Sequence, residues 1–130
     1  MAGKQIIKTE KAPLALGPYS VANQIGNLVF TAGQLGLNPE TNELVSGGIE
    51  GETRQALTNL KHVLEAAGSA LQNVVKTTVF LRDIKDFSDM NRVYAEFFPD
   101  NFPARTTVQV AALPRGAAVE IEVIGVIDSN

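Results

Sequence analysis

Two spacings of apolar residues take turns along the chain, and they predict different elements. Over residues 52–67, ETRQALTNLKHVLEAA, apolar side chains fall at Ala56, Leu57, Leu60, Val63, Leu64 and Ala67. That spacing of three and four predicts a helix with one buried stripe. Gly68 stands where a helix commonly ends in a left-handed residue. A second helix is predicted from Phe87 to Phe98, with Asp86 as N-cap and Met90, Val93, Tyr94 and Phe97 inward. Pro99 stops it.

Elsewhere the pattern is that of strands. Gln5 to Lys8 predicts a short first strand, followed by a loop, APLALGPYS, punctuated by Pro13, Gly17 and Pro18. SVANQIGNLVFTAGQ predicts a hairpin turning at Gly26-Asn27, its second strand closed by Gly33 and Gly36. Residues 37–49 are turn-rich and predict a loop with a small extended piece. VVKTTVFLRDI, residues 74–84, is β-branched and predicts a strand. Two more strands are predicted near 105–112 and 118–127, joined by the tight link LPRGA as an antiparallel pair.

The order β, β, β, α, β, α, β, β predicts one α+β domain over residues 1–130. It is a six-stranded, mainly antiparallel mixed sheet with both helices on one face. The other face still carries apolar residues, Val29, Val123 or their neighbours. A single layer cannot hide them, so a homo-oligomer with sheets packed together is expected.

Composition adjusts this picture only slightly. The chain has 130 residues, 45% apolar and 19% charged, the balance of one globular domain. A net charge of −3 without any Lys/Arg run disfavours a nucleic-acid surface. The chain has no cysteine, which removes disulfides, thiolate nucleophiles and the usual structural zinc sites. The opening MAGKQIIKTE lacks the apolar stretch of a signal peptide, and no segment approaches membrane-spanning length. A soluble, cytoplasmic protein is expected.

The available chemistry is sparse. His62 is the only histidine, set on the polar side of the first helix beside Thr58, Lys61 and Glu65. It reads as a solvated residue rather than a base or metal ligand. There is no G-x-S-x-G elbow, P-loop or dinucleotide fingerprint, and no metal-ligating cluster. What remains begins with Arg105 in FPARTTVQV. Strand alternation puts Val108 and Val110 on a core face, with Thr106 able to join them. Arg105, Thr107 and Gln109 then take the opposite face. Facing water, Arg105 is an ordinary surface residue. Under cover, its guanidinium needs an anion. On the last strand Glu120 and Glu122 share one face and Val119, Ile121 and Val123 the other. Glu120 reads as a surface carboxylate or as the salt-bridge partner of Arg105 on a neighbouring strand. Tyr19 reads equally as packing, and Asn91 as a solvent-facing residue.

GPYS, FTAGQLG, VVKTTVFLRD and FSDMNRVYAEFF occur in that order, and PARTTVQVAALPRGAAVEIE spans residues 103–122. Together they resemble the RidA (YjgF) family of reactive-intermediate deaminases over nearly the whole chain. The resemblance implies a chorismate-mutase-like fold and a homotrimer with its clefts between subunits. It implies hydrolysis of 2-imino acids and their enamine tautomers, such as 2-aminoacrylate and 2-iminobutanoate, to 2-oxo acids and ammonia. Their source would be pyridoxal-phosphate-dependent serine and threonine dehydratases, and the hydrolase itself would need no cofactor or metal.

The resemblance also implies residue roles. Arg105 would grip the substrate carboxylate, Glu120 would lie near the attacking water, and Tyr19 would line the cleft. Gly33 would approach the ligand through its backbone, and Asn91 would stand near the site. Thr107 occupies a position where many members have cysteine, so a thiol role is lost, while its backbone N–H remains able to meet the carboxylate. Ala32 and Val21 replace a frequent serine and glutamine. Besides chorismate-mutase-type chemistry, which fold analogy alone suggests, two other readings stay open. One is a regulatory module that binds 2-oxo acids without catalysis. The other is RNA cleavage, an activity attributed to some relatives, against which the acidic balance counts.

Overall fold

The helical stripes fold as expected, with shifted boundaries. The computed structural model describes residues 3–128. Helix α1 is Gly48–Ala66, and its Ala56, Leu57, Leu60, Val63 and Leu64 have no exposed surface. Burying each leucine or valine contributes about 1.5–3 kcal/mol, so this stripe is what fastens the helix to the sheet. The helix starts a turn earlier than the apolar spacing predicts. Gly48 and Gly51, poor helix formers, conceal that turn in the sequence. At the other end Gly68 takes a left-handed φ of 84°. Its N–H donates to the Glu65 carbonyl and that of Ser69 to the Leu64 carbonyl, closing the helix as a Schellman motif.

Helix α2 is Phe87–Phe97. Asp86 stands at its N-cap position, but its side chain makes no capping hydrogen bond. Asp83 instead accepts from the Lys85 N–H in the short 3-10 turn just before. Met90, Val93 and Tyr94 are buried as the spacing predicts, and Phe98 is buried more deeply than Phe97.

The strands are β1 Gln5–Ile7, β2 Ala22–Ile25, β3 Leu28–Thr31, β4 Gln34–Leu35, β5 Val74–Leu81, β6 Ala104–Gln109 and β7 Val119–Val126. They run β1-β2-β3-β7-β5-β6 across the sheet, with the two-residue β4 added on β7. Only β5 and β6 are parallel, which the crossover through α2 permits. The expected pairing of the last two strands is therefore corrected. β5 lies between β6 and β7 and pairs with both. The intervening segment passes the end of β5, where Val110 N–H donates to the Leu81 carbonyl and Arg82 N–H to that of Ala118. A tight link in sequence gave no sign of a strand inserted from elsewhere.

Both helices pack on one face. Thr77, Val79 and Leu81 of β5 point to them, as do their partners Val123, Ile121 and Val119 of β7. The expectation for the opposite face is refined rather than lost. Val29 and Val123 are buried under the helices, while their neighbours Phe30 and Ile124 pair on the uncovered side. There Phe30 and Val108 remain 40% and 39% exposed. Among the described residues no helix is long and apolar enough to cross a membrane.

Candidate functional site

Strand β6 keeps the expected alternation but exchanges its two faces. Arg105 is in register with Thr77, and Thr107 with Val79, both of which are buried under the helices. Arg105 and Thr107 thus face the helix layer, whereas Thr106 and Val108 face the uncovered side. Apolar character misled here because the sheet's uncovered side is itself apolar.

The cover over Arg105 comes from α2. Its guanidinium carbon lies 4.7 Å from the Tyr94 ring centroid and 5.4 Å from that of Phe87. Both distances are within cation–π range. Tyr94 is held in turn by a 2.8 Å hydrogen bond between its hydroxyl and that of Thr77, and by the Phe98 ring at 4.6 Å. Burial raises the Tyr94 pKa, against the opposing effects of the Thr77 bond and of the Arg105 guanidinium through both its charge and its N–H groups, so the phenol stays neutral. The ion pairs among the described residues engage Arg54 and Arg92, not Arg105. Among the described residues its charge therefore has aromatic neighbours and no carboxylate. It borders a crevice of about 520 Å³ shared with Asn91, Phe98, Phe102 and Pro103. The Thr107 hydroxyl is buried without a hydrogen-bond partner.

Glu120 belongs to a second crevice, of about 190 Å³, with Tyr19, Val21, Gly33 and Arg115 on its walls. Its position on β7, in register with Phe80, puts it on the uncovered face. Burial raises its pKa above the ordinary glutamate value, and repulsion from Glu122 adds to this. Gly33 lies directly against it. A Cβ built there would stand 2.7 Å from the Glu120 carboxyl carbon, so only glycine lets the backbone approach so closely. Tyr19 is 55% exposed, with its ring beside Gly17.

The six site residues thus fall into two groups. Arg105, Asn91 and Thr107 lie on β6 and α2, while Tyr19, Gly33 and Glu120 surround the second crevice. The salt bridge between Arg105 and Glu120 is not formed, because β5 separates their strands and they point to opposite faces. His62 joins neither group. Its Nδ1 lies 3.0 Å from the Lys11 carbonyl, tying the N-terminal loop to α1.

Sequence reasoning missed three supporting contacts. One is the aromatic cover from Phe87 and Tyr94, whose seven-residue separation was the available signal. Another is the pressing of Gly33 on Glu120. The third is buried Glu52, which accepts the Ala118 N–H at 2.8 Å and so fixes the entry to β7. No periodic pattern announces such a carboxylate.

Comparison with known proteins agrees on one family. The model described as Endoribonuclease L-PSP matches residues 9–127. A 2-iminobutanoate/2-iminopropanoate deaminase from Dermatophagoides farinae is 52% identical over 128 residues, covering 98% of this chain and all of the relative. The crystal structure of RidA from Psychrobacter sp. superposes with a TM-score of 0.91 at 48% identity, covering 95% of this chain and 99% of that one. Escherichia coli TdcF, solved with bound serine, gives a TM-score of 0.91 at 39% identity, again over 95% and 99% of the two chains.

Proposed function

Since this chain belongs to the RidA (YjgF) family, matched over residues 9–127 by its Endoribonuclease L-PSP model, we propose that it hydrolyses 2-imino acids to 2-oxo acids and ammonia. Its substrates are 2-iminobutanoate, 2-iminopropanoate and the enamines from which they arise, 2-aminoacrylate among them. The relative from Dermatophagoides farinae, half identical in sequence, carries that activity in its name. The observation that carries the reading is the state of the two charged groups. A cation without a carboxylate stands under aromatic cover, and a carboxylate with a raised pKa stands against a glycine backbone.

These groups suit the reaction. A guanidinium binds a carboxylate through two parallel hydrogen bonds, fixing the adjacent C=N carbon. Water adds to that carbon, forming the C–O bond, and gives a proton to Glu120. Glu120 returns that proton to the nitrogen, which has taken the C=N π pair, giving a carbinolamine. The hydroxyl proton then passes to the amino group as the C–N bond breaks and ammonia leaves, completing the 2-oxo acid. Glu120 chiefly orients the water, and burial and the Glu122 charge, which raise its pKa, make it a better proton acceptor than an ordinary glutamate. Tyr19 closes the pocket, and the Thr107 backbone N–H and Asn91 assist at the carboxylate end. No cofactor takes part.

The proposed assembly is a homotrimer with its sites between subunits. One copy supplies Arg105, Asn91 and Thr107, and the next supplies Tyr19, Gly33 and Glu120. The opposite orientations of Arg105 and Glu120 support this, since one small molecule cannot reach both within a chain. The apolar uncovered face supports it too. The physiological source of substrate is a pyridoxal-phosphate-dependent threonine or serine dehydratase.

The test couples the protein to a threonine dehydratase and follows semicarbazide trapping of the imine. Wild type should suppress trapping, and Arg105→Ala should lose nearly all of that effect. Arg105→Ala and Glu120→Gln chains, each inactive alone, should regain about a quarter of wild-type activity when refolded together one to one. In a random mixture a quarter of interfaces join two intact halves. No recovery from a properly assembled mixture would place both groups in one chain and defeat the reading.

A further inference from the structure

The guanidinium of Arg105 is held from behind. Phe87 opens α2 and Tyr94 follows two turns later, so their rings lie on one side of the helix. Arg105 reaches toward both, 5.4 Å from one centroid and 4.7 Å from the other. An arginine side chain left to itself samples many rotamers, and ordering it costs entropy. Aromatic faces attract the cation without using its N–H groups, which a carboxylate partner would occupy. The second ring is itself fixed, because the Tyr94 hydroxyl is bonded to Thr77, a residue with no exposed surface in the middle of the sheet.

We infer that Phe87 and Tyr94 are positioning residues. They hold the Arg105 guanidinium in one orientation, with N–H groups left over for a substrate carboxylate. This deepens the reading of Arg105 given above and rests on it. The rings touch no reacting atom, and they act by removing the ordering cost from the binding step. Their loss should therefore weaken carboxylate binding while leaving the chemical step of bound substrate nearly intact.

Phe87 is the residue to change, because it is only half-buried and lies at the margin of the core it packs against. Phe87→Leu keeps apolar bulk but removes the aromatic face, and Phe87→Tyr restores it. The readouts are titration with 2-oxobutanoate, KM and kcat in the coupled assay, and 15N relaxation of the Arg105 Nε–H. Phe87→Leu should raise both Kd and KM five- to tenfold, change kcat less than twofold, and increase the motion of Nε. Phe87→Tyr should return all three toward wild type. A Phe87→Leu protein with wild-type Nε order, or with Kd within twofold of wild type, would overturn the inference. So would equal mobility of Nε in wild type and variant, whatever the ligand. A wild-type protein that binds 2-oxobutanoate through Arg105 yet fails to accelerate imine hydrolysis would defeat the deaminase reading alone. The positioning role would then stand on the binding and relaxation data.

Discussion

The two faces of the sheet are built to different rules. The helix-covered face is complete: Val79, Leu81, Val119 and Ile121 have no exposed surface. A partly exposed cation there, Arg105, is packed on rings. The uncovered face mixes Phe30 and Val108, left open, with Glu120 and Glu122. One face is finished by folding, and the other is left with exposed apolar residues. The two charged groups fall on different faces, so that on the proposed assembly folding alone would not bring them together.

The sharpest way to break this contrast is to spoil the uncovered face. Val108→Asp or Phe30→Asp places a charge where a neighbouring sheet is proposed to pack. Activity should drop on the order of 100-fold as the two half-sites separate. Size-exclusion chromatography should show monomers, while circular dichroism shows the helices intact. The same substitution at Val79 should instead unfold the chain, because a buried unpaired carboxylate has no solvent to retreat to.

A smaller effect separates two glycines three residues apart. A Cβ at Gly36 would stand 2.6 Å from the main chain of Glu52 on α1, whereas one at Gly33 would meet the movable end of the Glu120 side chain. Gly36→Ala should therefore cost about 3 kcal/mol of stability, read by denaturant unfolding, because backbone cannot step aside. Gly33→Ala should leave stability nearly unchanged and lower kcat about tenfold by displacing the carboxylate. Equal stability losses would deny Gly33 its special place at Glu120.

The smallest predicted effect is a pH dependence. Glu120 has a raised pKa through burial and the charge of Glu122. The folded state thus holds this proton more tightly than the unfolded state does. Its stabilising contribution is complete below the unfolded glutamate pKa and is lost as pH rises through the folded value. Glu120→Gln should consequently raise Tm slightly at neutral pH, and the gain should vanish under acid conditions. A lower Tm at neutral pH would show that the ionised carboxylate is stabilised by the fold.

Much of the covered face was legible in the sequence, because local rules write it. The α1 stripe, the Gly26-Asn27 turn and the Gly68 closure each follow from a few adjacent residues. Glu120 and Glu122 were correctly set apart from Val119, Ile121 and Val123 by simple alternation. Strand β6 was misread for a physical reason: apolar Val108 belongs to a face that the helices never cover, so hydrophobicity could not identify the helix side. Strand β4 was missed because two residues carry no period. The insertion of β5 between β6 and β7 depends on contacts distant in sequence, which no local pattern encodes. For the same reason the opposite facing of Arg105 and Glu120 was invisible until the strand order was known.

That opposite facing has a consequence for heredity and dosage. On the proposed assembly, a defective copy damages more than itself, because each subunit lends one half of a site to each of two neighbours. A chain lacking Arg105 yet able to associate would silence intact partners, and two alleles damaged in different halves would partly mend one another. Specific activity should also decline on dilution, since a solitary chain owns every required residue and still has no place where they meet.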